Sequence, residues 1–207
     1  MKPYYQDESV TIYHGDCREI LPTLGRFDLL LTDPPYGIKR DGKPFSTSSH
    51  GGHKGYEFGG WDNEPPTKEH FDLMFAASGN HIVWGANFFP ELVRPAMGWL
   101  FWDKMQRIDQ SDGELAYSNR DGAFRVFSLN RVAIQKDGAF HPTQKPLALF
   151  RWCLSFAPDA QTILDPFAGS CTTGVAAKLE GRKATLIEME ERYCEIGARR
   201  MSQGVLF

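Results

Sequence analysis

Six short runs of almost uninterrupted apolar residues constrain this chain most: Ser9–Tyr13, Phe27–Thr32, His81–Trp84, Gly98–Trp102, Thr162–Leu164 and Ala184–Ile187. A strand with one wet face alternates apolar and polar residues; a strand buried on both faces does not, and such strands belong to parallel sheets covered by helices. Helical spacing lies between the runs. Leu147, Phe150, Leu154 and Ala157 share one face, Thr172–Leu179 and Glu191–Met201 are further helices, and Arg18–Leu24 is a shorter one. Arg125–Ile134 partly alternates and reads as an edge or hairpin strand. The pattern predicts an α/β domain, a mostly parallel sheet with helices on both faces, and places ligands outside the carboxyl ends of the strands.

A length of 207 residues suits a single domain, 1–207. Two stretches have no strong periodicity. Gly37–Pro66, rich in Gly, Ser, His and Pro, reads as a mobile loop; Gln106–Gly122, polar and Gly-containing, reads as a second loop. Cys17, Cys153, Cys171 and Cys194 are too dispersed for a metal knuckle or disulfide framework. With no secretory leader and no apolar run of spanning length, the expectation is a cytoplasmic protein off the membrane. Net charge is −3, yet Tyr36–Gly60 carries four Lys/Arg against two acids, and Arg94–Arg151 nine against six. Such patches suit a phosphate backbone, or are simply solvated charge.

Chemistry gathers where strands should end. Thr162-Ile-Leu-Asp165-Pro-Phe167-Ala168-Gly169-Ser170-Cys-Thr172-Thr-Gly174 reads as strand, acid, Gly-containing turn and helix, a form that lets backbone N–H groups approach a ligand closely. Glu188 ends the next strand, where a carboxylate accepts both hydroxyls of a ribose. The bland alternative is a structural turn. The sharper signal is Asp33-Pro34-Pro35-Tyr36, after Phe27–Thr32. Two prolines remove two backbone donors and fix two φ angles, so the turn aims a carboxylate, a carbonyl and a ring rigidly.

On these residues the chain resembles the DNA amino-methyltransferases, which join an Asp/Asn/Ser-Pro-Pro-Tyr/Phe motif to a Gly-containing S-adenosylmethionine loop. Here the Asp33 motif precedes the Asp165 loop, the order of that family's β group, a circular permutation of the common methyltransferase sheet. His141-Pro-Thr143-Gln-Lys145-Pro146 is similar to the group's cofactor-helix motif, and Tyr13-His-Gly-Asp16-Cys17 to the segment edging the cofactor's adenine. The resemblance implies a Rossmann-like, S-adenosylmethionine-dependent fold. It implies methyl transfer to the 6-amino group of a flipped adenine in DNA, within restriction-modification or another setting. Asp33 and the Pro34 carbonyl would accept from the amino group, with Pro35 stiffening the turn and Tyr36 stacking on the base. For the cofactor, Asp165, Phe167 and Gly169 would hold the methionine end, with Asp33, Ala168, Ser170 and Thr172 also binding it. Thr143 and Lys145 would sit near its carboxylate (the alternative for Lys145 being a solvated helix-start lysine), Glu188 at the ribose, and Asp16 and Cys17 at the adenine. No metal is expected; His50 and His53 are the nearest thing to a pair.

The family often has Gly where Cys171 stands, so a thiol narrowing the methionine pocket is expected. Residues 37–66 would face DNA, and 104–140 would be a reduced target-recognition region. Trp61, Phe45 and Tyr56 would pack that loop or wedge DNA; Trp84 and Asn87 border the base pocket or serve the core. Gln203-Gly-Val-Leu206-Phe207 resembles peptides that dock on the bacterial sliding clamp, the alternative being a tail folded back on its own domain. The group's habit of pairing suggests a homodimer. The other readings are a cytosine 4-amino enzyme, a catalytically silent cofactor- or DNA-binding module, and an enzyme acting on RNA or a protein amide.

Overall fold

In the computed structural model the apolar runs become neighbouring strands of one nine-stranded sheet; residues 1–38, 65–106, 111–130 and 144–203 are described. The elements follow the order β1 (Tyr5–Gln6), β2 (Val10–His14), α1 (Cys17–Ile20), β3 (Leu29–Thr32), α2 (Lys68–Ala77), β4 (His81–Trp84) and β5 (Leu100–Asp103). They continue with β6 (Gly113–Ser118), β7 (Arg125–Ser128), α3 (Leu147–Leu154), β8 (Thr162–Asp165), α4 (Thr172–Leu179), β9 (Lys183–Glu188) and α5 (Glu191–Ser202). Across the sheet the strands lie β1-β2-β9-β8-β3-β4-β6-β5-β7. All run one way except β1 and β6, whose pairings are antiparallel.

The absence of alternation in the central strands has the expected cause: both faces are covered. Leu29 and Leu31 of β3, Ile82 and Trp84 of β4, Ile163 of β8 and Leu186 of β9 pack with α3, α4 and α5 residues such as Phe150, Ala176 and Cys194. The intervening Leu30, Val83, Leu164 and Ile187 face the other way, onto Ile20, Phe71 and Met74. These side chains are at most 3% exposed, and each Leu, Ile, Val, Phe or Met among them contributes about 1.5–3 kcal/mol relative to exposure. Register carries the strand ends to one rim. Thr32 pairs with Val83, Leu30 with Leu164, Asp165 with Leu186 and His14 with Glu188.

Three expectations change. Gln106–Gly122 is not all loop, because Gly113–Ser118 is β6, hydrogen-bonded between β4 and β5. Its burial comes from those partners and not from an apolar run. Arg125–Ser128 is an edge strand but no hairpin partner, since it lies parallel to β5. Helix α2 was unanticipated; Thr67 and His70 close its first turn as a reciprocal capping box, with Phe71 and Met74 on the buried face. Residues 39–64 of the expected loop, with Phe45, His50, His53, Tyr56 and Trp61, lie outside the described residues. No described helix is long and apolar enough to cross a membrane.

Candidate active site

The rim where β3, β8 and β9 end opens into one cavity of about 500 Å³, within the size range of small-molecule sites. Cys17, Asp33, Pro34, Pro35, Tyr36, Lys145, Asp165, Phe167, Ala168, Gly169, Ser170, Thr172 and Glu188 all line it. Asn87 lines it too, whereas Trp84 is fully buried in the core. Thr143 lies outside the described residues. Asp16 does not line the cavity; its carboxylate caps α1 by accepting from the Arg18 N–H at 2.8 Å and pairs with the Arg18 guanidinium at 2.5 Å.

The acid–diproline–tyrosine corner is held by charge. Tyr36 donates its hydroxyl to Asp33 Oδ1 at 2.6 Å, and the Lys145 ammonium binds Asp33 Oδ2. Lys145 also reaches Glu114 Oε2 at 2.9 Å, and Lys104 reaches Glu114 Oε1 at 2.6 Å. Both lysines are buried, at 5% and 7% exposure, so each needs its carboxylate. Burial would raise the Glu114 pKa, but the Lys145 and Lys104 charges overcome it and hold the carboxyl down at about 2. At Asp33 burial prevails and raises the pKa, helped by Glu114 and opposed by Lys145. Burial also pushes the Tyr36 phenol up, with Asp33 and Glu114 adding to it. The Tyr36 ring stacks on Phe88 at 4.7 Å and 15° between planes. Gly85, at φ +70°, turns the chain out of β4 where a Cβ would come within 2.5 Å of Tyr36 Cζ.

The second corner is built from the Asp165 loop. Asp165 accepts from Thr32 Oγ1 at 2.7 Å, Thr173 Oγ1 at 2.5 Å and the Phe167 N–H at 3.1 Å. The Thr32 bond ties β3 directly to β8. Burial nevertheless lifts Asp165 to about 6 against these donors. Glu188 takes one N–H on each oxygen, Gly169 at 2.7 Å and Glu190 at 2.8 Å. Burial still raises it to about 7. A carboxylate this poorly hydrated gains from further hydroxyl donors.

Cys171 departs from expectation. Its φ of +62° explains why glycine suits the position. The thiol does not narrow the cavity; it is fully buried, facing Gly197 of α5. Asp16, Cys17 and His70 bring ligand atoms within 4.8 Å of one another. Arg18 already occupies the Asp16 carboxylate, and burial lifts the Cys17 thiol to about 12, so the trio is poorly suited to a metal.

A family described as DNA methylase matches residues 103–199. The type II methyltransferase M2.LlaDCHI of Lactococcus lactis subsp. cremoris is 27% identical over 258 aligned residues, covering 100% of this chain and 94% of its own. The chain is thus similar to type II DNA methyltransferases along its whole length. The DNA adenine methyltransferase YhdJ of Escherichia coli K12 is 48% identical to this chain over 62 residues, 30% of this chain and 21% of YhdJ. The fold matches M1.HpyAVI, solved as a SAM complex, with TM-score 0.62 at 22% identity, over 92% of this chain and 99% of that one. The α/β sheet expected from the strand pattern, and the Rossmann-like form implied by the resemblance, is the fold of this neighbour.

The family motifs overlook part of the cavity. Glu114, Lys104 and Phe88, which line it, were missed, as was Arg200 behind the lining, whose guanidinium binds the Ser170 carbonyl and lies 3.2 Å from Thr172 Oγ1. Each sits on a segment with no motif of its own. A lysine directly after the Leu100–Asp103 run and a glutamate directly before Leu115-Ala-Tyr were the available hints.

Proposed function

We propose that this chain transfers a methyl group from S-adenosylmethionine to the 6-amino group of adenine in DNA, after the base is flipped out. The observation carrying this reading is that the Asp33–Tyr36 corner and the Asp165–Glu188 corner line one cavity although Lys145 and Asp33 alone are 112 residues apart in sequence. The named adenine relative supports the choice of base, as does Asp at position 33.

The residues fit a nucleoside-bearing sulfonium. Gly169, at φ +49°, keeps the loop backbone bare, and Glu188 offers an underhydrated carboxylate for ribose hydroxyls. Phe167, Ala168, Ser170, Thr172 and Asp165 would enclose the methionine end, and Cys17 would edge the adenine. Lys145 is better assigned to Asp33 than to the cofactor's carboxylate, because two protein carboxylates already hold it. When bound, S-adenosylmethionine would supply an electrophilic methyl group on a positively charged sulfur that can leave as a neutral thioether, taking the S–C electron pair.

The protein's contribution is positioning and charge. Asp33 and the Pro34 carbonyl accept the two amino protons, turning the nitrogen lone pair toward the methyl group. These acceptors stabilise the positive charge that develops on nitrogen, and Asp33 takes the proton released after transfer. Tyr36 offers a stacking face worth roughly 1–3 kcal/mol, which offsets part of the few kcal/mol needed to extrude the base.

Incubation with DNA and labelled S-adenosylmethionine, followed by nucleoside mass spectrometry, tests the reading. N6-methyladenine is the expected product; N4-methylcytosine or an unmodified digest would refute it. Asp33→Ala should abolish transfer while cofactor binding persists. Residues 37–66 and 104–140 are assigned to DNA contact, with β6 and β7 supplying the latter's scaffold. A cytoplasmic location, homodimer formation and clamp docking through Gln203–Phe207 belong to the same reading; residues 204–207 lie outside those described. Clamp pulldown unchanged by deletion of Gln203–Phe207 would remove that element.

A further inference from the structure

Both oxygens of Asp33 are already engaged. Tyr36 donates to Oδ1 and Lys145 to Oδ2, so an incoming amino group must displace or share one of these donors. A buried hydroxyl or ammonium that loses its acceptor is costly, which would oppose substrate entry. Glu114 removes that difficulty. Its Oε2 already lies 3.2 Å from the Tyr36 hydroxyl and 2.9 Å from the Lys145 ammonium. Neither donor has to travel to find a second acceptor.

Resting on the methyl-transfer reading above, we propose that Glu114 is a positioning residue that receives the Tyr36 hydroxyl, and a larger share of Lys145, when the substrate amino group takes Asp33. Tyr36 then swings its one hydroxyl proton from the 2.6 Å partner to the 3.2 Å partner while its ring stays put. The exchange transfers no proton between residues; only the direction of the O–H bond changes. Lys104, bound to the opposite oxygen of Glu114, keeps that carboxylate ionised and aimed at the site. Charged and titratable groups around Asp33 come from four further elements: Lys145 before α3, Glu114 on β6, Lys104 after β5 and Asp165 on β8.

Glu114→Ala would strip two buried ammonium groups of a carboxylate, so Glu114→Gln is the test, with Tyr36→Phe as its partner. Gln keeps the shape and one acceptor but loses the charge that attracts both donors. In wild-type protein, Glu114→Gln should lower kcat on the order of tenfold to a hundredfold, the cost of a misplaced acceptor, with KM for S-adenosylmethionine within about twofold. In the Tyr36→Phe background no hydroxyl needs a second partner, so the same substitution should cost a smaller factor. An equal factor in both backgrounds, or a kcat unchanged by Glu114→Gln, overturns the proposal. Failure of wild-type protein to methylate DNA would instead overturn the underlying functional reading, so the two failures are distinguishable.

Discussion

Gly85→Ala is the sharpest probe of how the tyrosine corner is held. The residue sits at φ +70° directly after β4, and a methyl group there would lie 2.5 Å from Tyr36 Cζ. Two costs are separable. The left-handed backbone costs an L-residue roughly 1–2 kcal/mol whatever surrounds it. Overlap with the ring is additional: Tyr36 must move, losing its 2.6 Å bond to Asp33 and its stack on Phe88. A net hydrogen bond is worth about 0.5–1.5 kcal/mol and an aromatic pair a similar amount. The total is about 3 kcal/mol, a fall in Tm of about 6–12 °C for a domain of this size. Thermal unfolding of Gly85→Ala with and without Tyr36→Ala separates the terms. Without the ring, only the backbone cost of about 1–2 kcal/mol should remain. Equal destabilisation in both backgrounds, or wild-type melting and methyl transfer in Gly85→Ala, would refute the assigned steric role.

Two further predictions concern the cofactor corner. Glu188 is raised by burial to about 7 from an unfolded value near 4.5. Its contribution to ligand-free stability is therefore full below about pH 4.5 and lost as pH rises through about 7, a span of up to about 3 kcal/mol. Glu188→Gln should flatten that part of the stability–pH curve, and calorimetry in buffers of different ionisation enthalpy should show proton release when wild-type protein binds S-adenosylmethionine near pH 6. Gly197→Ala would drive a methyl group into the Cys171 side chain, with Cβ 3.1 Å away, and should cost about 1–3 kcal/mol. Cys171→Ala should relieve much of that loss; equal melting of the single and double variants would count against the contact.

The strands that build the sheet's centre were legible because their pattern needs no partner to be read. Leu29–Leu31 and Ile82–Trp84 are apolar on both faces whatever lies beside them. Strand β6 was not legible, since Gly113 and Glu114 open it with turn-like chemistry and its pairing to β4 is a tertiary fact. The cavity divides in the same way. Asp33–Tyr36 and Asp165–Gly169 are contiguous motifs, so their residue types announce a site. Glu114 gains meaning only from Lys104, Lys145 and Tyr36, the last lying 78 positions away. The part Asp16 plays in the fold was not legible either, because the same short acid serves equally well as a helix cap, and the local N–H of Arg18 binds it.

The reversed direction of β6 leaves both ends of its link to β5 on the rim that carries the cavity, since Asp103 pairs with Gly113 there. That link is an adjustable fitting. Residues inserted between Met105 and Asp112 would enlarge the surface presented to a substrate without shifting a single pairing in the cofactor-bearing half of the sheet. Changes of target are thus open to this architecture at a place where the machinery for methyl donation need not be rebuilt.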